Sequence, residues 1–141
     1  MKTVNIYIET SIKSPKRLNG KVGYILETDT AKGPATFTRI APVQQMTAHL
    51  SEMEALRMAL DHMKVPSHLV IFTDSRFLKS SIEWLPGWKE NDWKKANGKE
   101  IANVAEWKLL DGLLQGHELE FRVGEDRGYK KWLTAEVSRM E

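Results

Sequence analysis

Cysteine is absent from the 141 residues, which excludes a disulfide framework and a thiolate zinc site and leaves nothing that argues for an oxidising compartment. Long apolar runs are missing as well. No stretch approaches the roughly 20 residues that a membrane-spanning helix needs, and Met1 leads directly into a strand-like run instead of a signal-peptide pattern. A cytoplasmic location without membrane contact is expected. Repeats and low-complexity segments are lacking too. An excess of one charge sign is small, +2 in formal terms, and by itself names no partner.

What is present is an apolar content of 41%, enough for one globular domain over residues 1–141 that buries most of the surface its unfolded form exposes. A monomer is expected. Charge is uneven locally: Lys89, Lys94, Lys95 and Lys99 face only Glu90 and Asp92 over the same stretch, with Trp88 and Trp93 interleaved. A basic and aromatic patch of this kind suits a polyanion.

Three β-like segments open the chain, over residues 3–9, about 21–28 and about 35–41, separated by turn residues around Pro15, Asn19 and Gly20 and then Lys32, Gly33 and Pro34. They suggest an antiparallel meander. The period then changes, since Leu50, Met53, Leu56, Leu60 and Met63 recur every three or four residues within 47–63 and predict an amphipathic helix. LVIFTD (69–74) reads as a buried central strand. A helix over 75–84 is expected to break at Pro86-Gly87. A further helix is marked by Ile101, Val104, Trp107, Leu110 and Leu114, then a strand over 118–123, then a helix on Tyr129, Trp132, Leu133 and Val137. The order is β-β-β-α-β-α-α-β-α, an α/β class. A helical crossover places the fourth strand parallel to the first.

That topology sets the C-terminal ends of strands one and four side by side, where open sheets gather their ligand sites. Glu9 ends one strand, on the face opposite Val4, Ile6 and Ile8, and Asp74 ends the other. Glu52 is a third acid: at about 100° per residue it falls inside the apolar arc of its helix, whereas Glu54 and Asp61 fall outside it. An inward glutamate is costly unless paired, protonated or bound to a metal. Singly, Asp74 before Ser75 also reads as a helix cap and Glu9 as an exposed strand-end acid. Jointly, Glu9, Glu52 and Asp74 would repel one another unless a cation neutralised them, and such oxygen donors suit Mg²⁺ or Mn²⁺.

These residues carry a resemblance. I-Y-I-E-T-S, S-E-M-E-A-L-R-M-A-L, F-T-D-S-R-F, W-L-P-G-W-K-E-N-D-W-K and N-V-A-E-W follow one another as the corresponding segments do in type 1 ribonuclease H, and the chain resembles that family over nearly its full length. The resemblance implies a ribonuclease H-like fold, a five-stranded mixed sheet of order 3-2-1-4-5 flanked by helices. It implies metal-dependent hydrolysis of the RNA strand of RNA/DNA hybrids, with Glu9, Glu52 and Asp74 as catalytic residues and metal ligands. It also implies a basic handle over about 84–100 in which Trp88, Lys89, Trp93, Lys94, Lys95 and Lys99 meet nucleic acid, the two tryptophans serving alternatively as its small apolar core. Asn103 matches a DNA-contacting asparagine, and His49 lies where the family approaches the RNA 2′-hydroxyls. Departures accompany it. Glu9 replaces Asp, Thr10 replaces Gly, Glu125 stands for a loop histidine and Trp132 for a fourth acid, for which Asp126 or Glu136 are the available substitutes. A module that binds hybrid or other duplex nucleic acid without cutting it is the alternative function.

Overall fold

A computed structural model of the chain describes residues 1–139. Its elements run β1 (Lys2–Thr10), β2 (Leu18–Thr30), β3 (Gly33–Met46), α1 (Ala48–Leu60), β4 (Ser67–Thr73), α2 (Arg76–Glu90), α3 (Val104–Leu114), β5 (Glu118–Val123) and α4 (Lys130–Ser138). The strands form one sheet in the order β3-β2-β1-β4-β5. β1, β2 and β3 are antiparallel neighbours, and β4 lies parallel to both β1 and β5. The expected element order, strand order and crossover are therefore all present.

Alternation along β1 divides the core between the two faces of the sheet. Val4, Ile6 and Ile8 pack with Leu56 and Leu60 of α1, Leu78 and Ile82 of α2 and the buried Trp107 of α3. Tyr7 points the other way, joining Ile25, Phe72 and Leu133 beneath α4, and its ring stacks on Phe72 with centroids 4.5 Å apart. A single carboxylate organises this second face. Glu27 accepts hydrogen bonds from Asn5 (2.9 Å), Tyr7 (3.0 Å) and Tyr129 (2.6 Å), the last of which ties the start of α4 to the sheet. Burial alone would push Glu27 upward, but these donors and the Arg127 charge outweigh it and hold the carboxyl below its usual range.

Three local expectations are corrected. β2 and β3 run beyond 21–28 and 35–41 at both ends, because they pair with each other from Leu18 opposite Met46 to Thr30 opposite Gly33. A two-residue turn at Ala31 and Lys32 closes this hairpin, and Gly33 takes a positive φ of 107° that an L side chain would resist. Pro86 does not end α2. The helix carries it as an exposed interior residue and continues to Glu90, held on its far side by Leu85 in the core and by Trp88 packed edge-on against Trp107. Third, Asp74 does not cap that helix, since the cap is Ser75, whose hydroxyl accepts from the Leu78 N–H at 3.0 Å.

Candidate active site

The register of β1 against β4 ends with Tyr7 opposite Phe72, so two residues further on Glu9 and Asp74 emerge at adjoining C-terminal strand ends. Glu9 pairs in register with Gly23 of β2. A side chain at Gly23 would meet Ile40, Leu133 and Val137 at 2.7–3.0 Å, so the glycine is what lets α4 lie against the sheet at this level. Through that approach Thr134 of α4 donates to Glu9 Oε2 at 3.1 Å. The other oxygen of Glu9 accepts from the Thr10 N–H at 3.0 Å and from Lys13 Nζ at 2.7 Å. Its side chain is only 9% exposed.

Glu52 reaches the same place from α1. Thr47 caps this helix by accepting from the Leu50 N–H, and its first turn is docked on β1 by the buried Thr10 hydroxyl, which donates to Ser51 Oγ at 2.8 Å. Ser51 in turn donates to the Ala48 carbonyl. Thr10 thus joins the acid-bearing strand to the acid-bearing helix. The Glu52 carboxylate accepts from Ser75 Oγ at 2.5 Å, so the residue that caps α2 also fixes the direction of this acid. Burial pushes the Glu52 carboxyl above its ordinary value, and the Ser75 hydroxyl with the nearby His49 and Lys13 recovers only part of that shift. Asp74 is about half exposed and pairs with Lys130 Nζ at 2.8 Å. The carboxylate in return holds the Lys130 ammonium above its ordinary range.

Glu9, Glu52 and Asp74 line one open recess of about 210 Å³, together with Ile8, Thr10, Lys13, Ala55, Thr73 and Ser75. Glu9 and Asp74 also border a narrower recess on the α4 side with Glu125, Arg127 and Lys130. Among the described residues no three His, Asp or Glu side chains are drawn together closely enough to chelate one ion as they stand; two of the three acids are turned to lysines. The chemistry of the donor set nevertheless fits a hard divalent cation. Three carboxylates share a recess, and one of them is raised by burial and lacks an ammonium partner.

The other candidate residues are distributed differently. Asp126 accepts from the Gly128 N–H within its own loop and Glu136 pairs with Arg139, and neither lines the recess of the three acids. Glu125 pairs with Arg122, while Trp132 is 48% exposed. Over 84–100, Trp84 to Glu90 belong to α2, and the remainder is a set of turns with one bridge between Lys94 and Glu100. Trp88 and Trp93 are half-buried against the main core, and Lys108 lies 5.8 Å over the Trp93 ring. Lys89 is engaged with Asp111 at 3.2 Å, whereas Lys94, Lys95 and Lys99 are exposed. Asn103 takes a left-handed conformation before α3 and its side chain makes no cap bond. His49 is exposed at the first turn of α1 and stacks on Phe77 at 3.6 Å.

Sequence reasoning missed Lys13, Ser75, Lys130 and Thr134. The spacing of Glu9 and Lys13, and the place of Lys130 at the start of the last helix, carried no distinctive pattern. Ser75 was visible only as part of T-D-S, where the cap was assigned one residue too early.

Comparison with known proteins finds relatives named ribonuclease H. A ribonuclease H of Actinobacillus pleuropneumoniae is 32% identical over 128 residues, 86% of this chain and 76% of the relative. The first curated relatives are matched over shorter stretches, and there the chain spans about half of their length. Among solved structures, LC9-RNase H1, described as a type 1 RNase H with the type 2 active-site motif, superposes with a TM-score of 0.72 at 18% identity, over 99% of this chain and 86% of that one. The foamy viral protease-reverse transcriptase in complex with RNA/DNA hybrid gives a TM-score of 0.69 at 17% identity, over 96% of this chain and 19% of that one. The RNase H family model matches residues 1–123, from the start of the chain through β5, and the chain belongs to the RNase H family.

Proposed function

We propose that this protein hydrolyses the RNA strand of RNA/DNA hybrids, with Mg²⁺ or Mn²⁺ held by Glu9, Glu52 and Asp74. The observation that carries this reading is the shared recess of the three acids at the adjoining ends of β1 and β4, in a chain of the RNase H family. Divalent ions bound there would supply activation of the attacking water and stabilisation of the leaving 3′ oxygen. The water oxygen bonds to phosphorus as the bond to the 3′ oxygen breaks, leaving a 5′-phosphate and a 3′-hydroxyl.

The chain's own residues prepare this step. Ser75 aims Glu52 into the recess, and the Thr10 N–H with Thr134 fixes the rotamer of Glu9. Glu9 is one methylene longer than the aspartate it replaces, and its fixed, nearly buried position removes the freedom that the extra bond would add. Lys94, Lys95 and Lys99 are placed for phosphate contacts, sequence-independent and salt-sensitive. His49, held flat on Phe77 at the mouth of α1, is the group for the minor-groove side of the hybrid.

Asp126 and Glu136 stay outside this proposal, because each is already engaged away from the recess. The family match ends at residue 123, just before the loop and helix that hold both of them, so the departures at Glu125 and Trp132 fall beyond the matched residues.

A 5′-labelled RNA annealed to DNA, incubated with Mg²⁺ or Mn²⁺, tests the proposal. Shortened RNA with the wild-type chain and intact RNA with Asp74→Asn is the expected result. A hybrid that is bound but left intact by both proteins would instead identify a binding module.

A further inference from the structure

From the geometry of the acid recess we infer that Lys13 and Lys130 are built-in counter-cations of the site, positioning residues that set how tightly it takes a divalent ion. The inference rests on the metal-site reading given above. Each ammonium sits on a different acid: Lys13 Nζ is 2.7 Å from Glu9 Oε1 and Lys130 Nζ is 2.8 Å from Asp74 Oδ1. Lys13 lines the recess of the three carboxylates, and Lys130 lines the adjoining one that Glu9 and Asp74 share.

The lysines arrive from separate parts of the chain, one from the loop after β1 and one from the first turn of α4. Glu52 alone of the three acids has no ammonium, and a serine hydroxyl holds it instead. Two positive charges thus stand against three carboxylates, which lets the fold bring the acids to one rim without a bound ion. For Glu9 Oε1 or Asp74 Oδ1 to serve a divalent ion, the ammonium must release that oxygen. The side chains are 64% exposed for Lys13 and 41% exposed for Lys130, so each has open solvent to swing into and neither is part of the packed core.

Exchange of this kind has a direct signature in metal affinity. Removing a lysine both frees a ligand oxygen and removes a repelling charge, so the site should bind a divalent ion more tightly. Partly exposed ion pairs are weak, which sets the expected gain at about threefold in Kd for one lysine and about tenfold for both, treating the two pairs as independent.

Calorimetric titration of Mn²⁺ into the full chain, into Lys13→Gln, into Lys130→Gln and into the double variant tests this. Tighter Mn²⁺ binding by the variants, in those proportions and shrinking as salt is raised, is the expected result, with Lys130→Arg close to wild type. Binding by the variants alone would support the inference most strongly. Equal or weaker Mn²⁺ affinity in the variants overturns it, as does a lower metal-free melting temperature with no change in affinity, which would mark the pairs as structural only. Absence of Mn²⁺ binding from every protein would overturn the metal-site reading and this inference together, whereas binding that is equal in all of them removes only the inference.

Discussion

Replacing Ser75 by alanine removes two interactions that meet at one oxygen. The hydroxyl accepts from the Leu78 N–H and so caps α2, and it donates to the Glu52 carboxylate. Loss of a serine cap costs about 1 kcal/mol, and loss of an ordinary side-chain hydrogen bond costs about another 1 kcal/mol. With an unfolding entropy of roughly 0.3 kcal/mol/K for a chain of this length, Ser75→Ala should lower Tm by about 7 °C. Urea denaturation of Ser75→Ala, Glu52→Ala and the double variant separates the two contributions. In the Glu52→Ala background only the cap remains to be lost, so the serine change should cost about 1 kcal/mol less there. A serine change that costs the same in both backgrounds would refute the idea that the cap of α2 also holds the Glu52 carboxylate, leaving Ser75 as a helix cap and nothing more.

Glu52 itself should respond to pH with the opposite sign to most carboxylates. Its folded pKa is raised from 4.5 by burial, so the stability of its protonated form is fully present below that value and is lost as pH rises through the folded pKa. Glu52→Gln should therefore be more stable than wild type at pH 7 without metal, and denaturation at pH 4 should show the advantage gone. Glu27 has the reverse dependence. Its depressed carboxyl contributes stability above 4.5 that disappears as pH falls through the folded value, so Glu27→Gln should flatten the acid limb of a pH–stability curve, while Glu27→Ala, which strands the donors of Asn5, Tyr7 and Tyr129, should cost about 2–3 kcal/mol in urea. Gly23→Ala should destabilise by about 1–3 kcal/mol through its contacts with Leu133 and Val137, and a loss of cleavage larger than the loss of folded protein would show that α4 has moved off Glu9. Replacing Lys94, Lys95 and Lys99 together by glutamine should weaken hybrid binding and reduce the salt slope by about 2–3, with Lys89→Gln far milder because that lysine already serves Asp111.

The sheet order was legible because its signals are long-range in consequence but local in form. The 2-to-3.6 change of period at residue 47, the apolar run of β4 and the crossover between them leave few topologies open. The same economy located the acids, since Glu9 and Asp74 stand at strand ends and Glu52 interrupts an apolar arc. Element ends were harder to read. The added ends of β2, at Leu18 and Asn19 and at Asp29 and Thr30, are exposed, so no hydrophobic alternation marks them and only the pairing with β3 keeps them extended. Pro86 looked like a stop because its missing N–H weakens a helix, yet burial of Leu85 and the Trp88–Trp107 contact on the next turn outweigh that loss. Lys130 and Thr134 were invisible for a different reason. They meet the acids only once the sheet and α4 have come together, over separations of up to 125 residues, and no spacing along the chain encodes such meetings.

The most direct test of the site is a crystal of the wild-type chain soaked in Mn²⁺ and measured at the manganese absorption edge. Anomalous peaks between Glu9, Glu52 and Asp74, with the Lys13 and Lys130 ammonium groups displaced from their carboxylates, are the expected result. Both lysine–carboxylate pairs intact at saturating Mn²⁺, with no anomalous peak in the recess, would contradict the assignment of these acids as a metal-dependent catalytic centre.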